Sequence, residues 1–310
     1  MKYIKILMIP LILFLQGMIT SCSSFFYYPS RAIIFDPQKL GFEYKDIYFE
    51  SPSAIGEEVS HRIKIPLASK VTLHGWLFPQ KKNSEYKGLL VFFHGNAQNI
   101  TSHFISLAWL VEHGYDVFIF DYRGYGASGG KPDQVGLYYD GIAALEYALK
   151  LTRQSSPIVV YAQSLGGIVA MRSLVDFPQQ EKISLVVLES TFSSYQEVAF
   201  DKLKSSWITF LLSPLAFILI SDKMASKPYL KQFNRPTLVI HGNADPVVPY
   251  KFGEEIYSLL GSNSGQNEHK WWWPVEGGAH SDFFWINNSK ERAESNRKRF
   301  VDFLLRTKIN

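Results

Sequence analysis

The chain of 310 residues has a single cysteine, Cys22, so no disulfide can form within it and no zinc-type cysteine pair is present. Charge is sparse as well. Asp, Glu, Lys and Arg make up 19% of residues and the net charge is +4. Lys and Arg are scattered except for Lys290, Arg292, Arg297, Lys298 and Arg299, which read as the solvated face of a last helix, so a nucleic-acid partner is not expected. No Pro/Gly/Ser-rich linker or internal repeat divides the chain. There is no His-x-x-x-His spacing, and no Gly-Lys-Ser/Thr follows the Gly-rich stretch Gly126–Gly130. That stretch is expected to be a turn after a strand, and neither metal nor cofactor is expected. What is present is apolar: 46% of residues are hydrophobic, enough for a well-filled core.

The first residues carry an address. Lys2 and Lys5 precede the apolar run Ile6–Leu15, which falls short of the about 20 residues of a membrane span and suits a secretory signal. Cys22 follows in Ile19-Thr20-Ser21-Cys22, which resembles the bacterial lipobox. That resemblance implies a signal peptide at 1–21, lipidation of Cys22, a tether over 22–44 and a folded domain over 45–310. The other reading is an uncleaved signal anchor in which Cys22 is incidental. Ser23 stands where aspartate would favour inner-membrane retention, so the expected location is the cell envelope, on the outer membrane if the cell has one. Phe25-Phe26-Tyr27-Tyr28 then lies near the headgroups or packs on the domain.

Strand-like runs alternate with helix-like ones. Strands are expected at Asp46–Glu50, His61–Ile65, Val71–Leu77, Gly88–His94, Tyr115–Asp121, Pro157–Gln163, Ser184–Glu189, Thr237–His241 and Lys270–Val275. The later runs are continuously apolar, as strands covered on both faces are. Helical spacing appears in Phe104, Ala108 and Val111, ended by Gly114, and in Val135, Ile142, Leu145 and Leu149, opened by Asp133. It appears again from Leu165 to Val175. The alternation predicts an α/β fold, a mostly parallel twisted sheet with helices on both faces and ligands beyond the carboxyl ends of the strands.

Three such ends carry chemistry. Tyr161-Ala162-Gln163-Ser164-Leu165-Gly166-Gly167 passes from strand to helix, the setting of a nucleophile elbow, with small residues at Ala162 and Gly166. Ser164 needs a base, and the base needs an orienting carboxylate. Asp245 follows Thr237–His241, and His280 ends the Gly-rich Glu276-Gly277-Gly278-Ala279-His280. The order Ser164, Asp245, His280 suits an acyl-transfer triad. His-Gly-Asn-Ala occurs twice, at 94–97 and 241–244. The second copy leads into Asp245. The first is expected to stabilise an oxyanion through the backbone N–H of Asn96, with Ala97 as the neighbouring option, together with the N–H of Leu165. Gly95 is expected to let backbone approach substrate closely, and His94 and His241 to brace their loops.

With these pieces, Asp121–Gly126 with Ser128-Gly129, and Leu188-Glu189-Ser190-Thr191-Phe192, the chain resembles the α/β-hydrolase superfamily. It is most similar to a branch of membrane-associated serine hydrolases that includes palmitoyl-protein thioesterase-like and peptidase-like members. The resemblance covers roughly residues 60–305. It implies the α/β-hydrolase fold with a small cap insertion at about 191–235, and cleavage of an ester or thioester of a small-molecule or acylated substrate. Ser164 in place of Asp or Cys sets the chain apart from epoxide hydrolases, dehalogenases and dienelactone-type hydrolases. A peptidase or amidase of the same fold, and a non-catalytic lipid-anchored scaffold, are the alternatives. Within the cap, Trp207–Leu212 and Leu215–Ile220, separated by Ser213-Pro214, form a membrane-dipping lid, an acyl-chain wall or an ordinary cap helix pair packed on the core. Trp271–Trp273 fit a buried strand end or a pocket lining.

Overall fold

The structure, a computed structural model, describes residues 26–52, 70–82, 84–153, 156–263, 269–284 and 289–307. Residues 1–21, Cys22 and the strand expected at His61–Ile65 lie outside them. In chain order the strands are β1 (Tyr28–Pro29), β2 (Lys45–Pro52), β3 (Lys70–Phe78), β4 (Gly88–Phe93), β5 (Ala97–Gln98) and β6 (Tyr115–Phe120). They continue as β7 (Ile158–Gln163), β8 (Ile183–Glu189), β9 (Thr237–Gly242) and β10 (Lys270–Val275). Eight of them form one sheet in the order β10-β9-β8-β7-β4-β6-β3-β2. The β2–β3 and β3–β6 pairs are antiparallel and the rest parallel.

The apolar strand runs are continuous because both faces are covered. Along β4, Leu89, Val91 and Phe93 enter one core and Leu90 and Phe92 the other. The first core is closed by Leu137 and Leu145 of helix α2 (Gln134–Leu151) and by Ile168 and Met171 of α3 (Leu165–Asp176). Asp133 caps α2 by accepting from the Gly136 N–H at 2.8 Å. The second core takes Phe300 and Leu304 of the C-terminal helix, Lys290–Arg306, and the segment from Phe104 to Val111.

That segment departs from the expected α-helix. A single turn, α1 (Ile100–His103), runs into 3-10 turns at Phe104–Ser106 and Ala108–His113. Phe104, Leu107 and Leu110 are all buried, and their spacing of three is the 3-10 period. The tryptophans of β10 divide between the faces: Trp272 stacks on Tyr257, whereas Trp271 and Trp273 pack on Phe303. They pin edge helices to the sheet and do not line the pocket described below.

The stretch expected to be a tether packs on the domain from its first described residue. Phe26 stacks edge-on against Tyr195, Tyr27 is buried in the first core, and β1 pairs with β5. The cap insertion comprises helix Tyr195–Lys204, a 3-10 turn at Phe210–Leu215, the short helix Ala216–Leu219 and a 3-10 turn at Lys227–Gln232. Asp222 ties its ends together, accepting from the Tyr195 N–H at 2.7 Å and the Ser194 hydroxyl at 2.6 Å.

The Gly-rich turn after β6 is structural. Ser128 Oγ donates to the Asp121 carbonyl at 2.7 Å and accepts from the His74 N–H at 2.9 Å. Arg123 reaches inward to Asp140 of α2 (Nη2–Oδ1 2.7 Å) and to Ser51 and the Pro52 carbonyl of β2. Both partners are buried, so each depends on the other for its charge. Arg123→Met should destabilise by about 3–5 kcal/mol, because Asp140 is left buried and unpaired. Adding Asp140→Leu should restore much of the loss. Denaturant unfolding of the single and double variants tests this; equal destabilisation by both would show that the pair is not what stabilises the turn.

Candidate active site

Ser164 sits between β7 and α3 at φ 53°, ψ −119°, a backbone conformation that side-chain-bearing residues rarely adopt. The neighbouring residues hold it there. A Cβ on Gly166 would collide with the carbonyls of Phe93 and His94, and one on Gly167 with Thr191. Helix and strand therefore approach as closely as backbones can. The Ser164 N–H donates to the Glu189 carbonyl at 2.9 Å, and the Thr191 hydroxyl donates to the Ser164 carbonyl at 2.6 Å. The bend is over-determined.

His280 lies 3.0 Å from Ser164 Oγ through Nε2, and 2.8 Å from Asp245 Oδ2 through Nδ1. Asp245 also accepts from the N–H groups of Val247 at 2.8 Å and Val248 at 2.9 Å. Burial raises its pKa, but hydrogen bonds from His241 and His280, favourable electrostatics with the His280 ring and the Val248 N–H outweigh burial. The carboxyl is held well below the usual carboxylate range. An ionised Asp245 can only accept, so Nδ1 of His280 carries the proton and Nε2 is free to accept from Ser164 Oγ. The structure thus brings Ser164, Asp245 and His280 into one hydrogen-bonded line.

The two His-Gly-Asn-Ala copies differ in what their side chains do. In the second, His241 Nε2 donates to the Val248 carbonyl at 2.8 Å and lies 3.5 Å from Asp245. Gly242 has no room for a Cβ against Gly278, which lets the aspartate and histidine loops touch. Asn243 joins those loops, accepting from the Gly277 N–H and donating to Glu276, each at 2.8 Å. In the first copy, Asn96 takes the corresponding part with the N-terminal strand. Its Nδ2 donates to the Phe26 carbonyl at 2.6 Å, and Oδ1 accepts from the Tyr28 N–H at 3.1 Å and the Tyr125 hydroxyl at 2.8 Å. A side-chain change at Asn96 therefore disturbs the loop, not only a backbone donor. His94 donates to the Gly95 carbonyl at 2.7 Å and stacks on His103. Asn96 and Leu165 both border the pocket that holds Ser164. As the first residue of α3, Leu165 has an N–H that points out of the helix end.

Sequence reasoning assigned no role to the end of β8, which binds two loops together. Glu189 accepts from Tyr161 at 2.8 Å, Gln163 at 3.0 Å and the Phe283 N–H at 3.2 Å. Burial raises its pKa, and these donors partly offset the shift. Ser190 Oγ accepts from the Ser281 N–H at 3.1 Å, next to His280. Glu189, Ser190 and Thr191 together hold both the serine turn and the histidine loop. The available signal was three consecutive polar residues, Glu189 to Thr191, following the apolar run Leu185–Leu188. His103 was also missed: its Nε2 donates to the Ala97 carbonyl at 2.8 Å, and burial, with charge repulsion from His94, lowers its pKa to about 3. It is neutral at physiological pH, a brace for the first copy of the motif.

Ser164 and His280 open on a cavity of about 880 Å³ whose wall is largely apolar, including Phe192, Leu203, Leu215, Leu219 and Val248. Among the described residues, no group of three or more His, Cys, Asp or Glu side chains converges to hold a metal ion.

Glycine positions separate a rigid part of the site from a tolerant one. Gly95 lines the cavity, where it is expected to let backbone approach substrate, and against the protein itself a Cβ there would meet His103 at 3.5 Å and Ser164 at 3.6 Å, ordinary contacts. Gly95→Ala should leave hydrolase turnover within a few-fold, whereas Gly166→Ala should abolish it or unfold the elbow. Turnover assays with circular dichroism on both variants test this. The reverse ranking would mean that the turn is held by something other than close packing.

Residues 84–227 match the family described as Serine aminopeptidase, S33. YfhR of Escherichia coli (strain K12), an uncharacterized protein, is 29% identical over 305 residues, covering 96% of this chain and 95% of its own. The lysophosphatidylserine lipase ABHD12 of Macaca fascicularis is 30% identical over 183 residues, 55% of this chain and 45% of that protein. A solved esterase of Pyrococcus furiosus superposes with a TM-score of 0.64 at 21% identity, covering 91% of this chain and 98% of that one. The fold is that of the α/β-hydrolases, and the family match and the relatives support placing this chain in that superfamily of hydrolases.

Proposed function

We propose that the protein is a serine hydrolase that cleaves carboxylic esters or thioesters carrying an apolar acyl chain. The observation that carries this reading is the line Ser164–His280–Asp245, with 3.0 and 2.8 Å between successive partners, opening on an apolar cavity. Ser164 Oγ attacks the acyl carbonyl carbon as its proton passes to His280 Nε2. The backbone N–H groups of Leu165 and Asn96 hold the oxyanion. Collapse expels the alkoxide or thiolate leaving group, which takes the proton from His280, and leaves an acyl-Ser164 ester. Water, deprotonated by His280, then attacks that ester and regenerates the serine. Asp245 keeps the His280 tautomer throughout.

The family match also raises an aminopeptidase. Recognition of a free α-amino group calls for a carboxylate, and no Asp or Glu lines the cavity among the described residues; its charged lining residue, Lys202, has the wrong sign. The apolar wall favours an acyl chain. The name of the lipase relative, which acts on a monoacylated lipid, agrees with that choice.

A fluorophosphonate probe should label the wild type and not Ser164→Ala, which separates an enzyme from a scaffold. Ser164→Ala should lower kcat on the order of 10⁴-fold or more. Across p-nitrophenyl esters, kcat/KM should rise with acyl length as the chain fills the cavity. Near wild-type turnover by Ser164→Ala would overturn the assignment.

We also propose that the protein is exported and held on the cell-envelope membrane through a lipidated Cys22, on the lipobox-like Ile19–Cys22 and the short apolar run before it. One acyl chain anchors weakly, whereas two or more hold a protein stably on a bilayer. Mass spectrometry of the native N-terminus should find a diacylglyceryl cysteine as the first residue; an intact Met1 would show a signal anchor instead.

A further inference from the structure

Among the described residues, sixteen large apolar side chains are exposed, and eight of them fall between 207 and 218. Trp207 is 90% exposed and Leu211 85%, with Ile208, Phe217 and Ile218 beside them. A contiguous apolar patch of this kind marks an interaction surface. The same short segment supplies the inner wall of the cavity through Leu212, Leu215, Ala216 and Leu219. One strip of chain is therefore apolar on both sides, with the acyl site on one and the exterior on the other.

Two further observations identify what covers the outer side. Between Asp201 and Asp222 there is no acidic residue, and Lys202 and Lys204 stand at the start of the strip, with Lys202 lining the cavity. An apolar strip that carries lysines and no acid between its two flanking aspartates complements a bilayer with anionic headgroups. The N-terminal end of the described chain is also here: Phe26, the first described residue, and Tyr28 line the cavity.

We propose that residues 207–218 form a bilayer-docking surface that beds the cap into a membrane carrying anionic lipid, so that an acyl substrate passes from the bilayer into the cavity without crossing water. Trp207, Ile208, Leu211 and Ile218 enter the interface, and Lys202 and Lys204 meet the headgroups. The substrate route rests on the hydrolase reading above, whereas the docking itself does not. The expected ordinary cap, packed wholly on the core, does not account for the outward side chains.

The test uses the full chain on vesicles of phosphatidylcholine and phosphatidylglycerol, some containing brominated phosphatidylcholine. The emission of Trp207, isolated by subtracting a Trp207→Phe variant, should shift to the blue and be quenched by the brominated lipid. The double variant Leu211→Asp/Ile218→Asp, neither position lining the cavity, should lose that quenching. Its turnover of a long-chain monoacylglycerol in the vesicles should fall at least about tenfold, while turnover of a soluble short-chain ester stays within about twofold. Trp207 that stays unquenched and open to acrylamide on vesicle-bound protein would overturn the proposal. So would Trp207 shielded without vesicles in a concentration-dependent oligomer, which would make the patch a contact between copies. Quenching without hydrolysis of either ester would uphold docking while refuting the hydrolase reading.

Discussion

The left-handed turn at Ser164 is the constraint on which the site depends. Such a conformation costs of order 1–3 kcal/mol and persists only where the surroundings leave the chain no alternative. Here the surroundings are the backbone at the end of β4 and the side chain of Thr191. Gly166 rests on the end of β4 and Gly167 on Thr191, so α3 can start only where the hydroxyl stands clear of the sheet. The same contacts bring the β4 loop beside the serine, which is where a developing negative charge would need its donors. Sheet order does the rest, since β4, β7, β8 and β9 are successive neighbours ending on one side.

The repeated His-Gly-Asn-Ala turns share a logic despite their different tasks. In each, the asparagine side chain stitches the turn to a segment distant in sequence: Asn96 to Phe26 and Tyr28, Asn243 to Glu276 and Gly277. An amide that both donates and accepts satisfies two backbone or side-chain groups at once, which a carboxylate cannot do. The histidines diverge. His241 supports the acid loop through Val248, whereas His94 is enclosed by rings, donates through Nδ1 within its own turn and lies 3.4 Å from Asp121 through Nε2.

Much of this was legible in the sequence because parallel strands buried on both faces leave continuous apolar runs, and because Ser164, Asp245 and His280 each stand at a strand end or on a Gly-rich loop. The segment at Phe104–Leu110 was read with the wrong period, since spacings of three and of three-to-four overlap over so few residues. The Glu189–Thr191 clamp was illegible for another reason. Its bonds reach Phe283 and Ser164, 94 and 27 positions away, and local pattern does not encode pairings at that range. The cap composition announced apolar surface, but which side chains faced outward depended on the 3-10 turn at Pro214, a geometry that helical periodicity does not describe.

Asn96 also makes the N-terminal strand part of the reaction chamber in a mechanical sense. β1 pairs with β5, and Asn96, donating to the Phe26 carbonyl and accepting from the Tyr28 N–H, fastens both residues to the turn beside Ser164. Tension applied to the chain ahead of Phe26 would therefore load the serine-side turn before any other part of the sheet. A shortened chain beginning after Tyr28 would keep every strand of the main sheet yet leave that turn unfastened and the Asn96 amide without two of its partners.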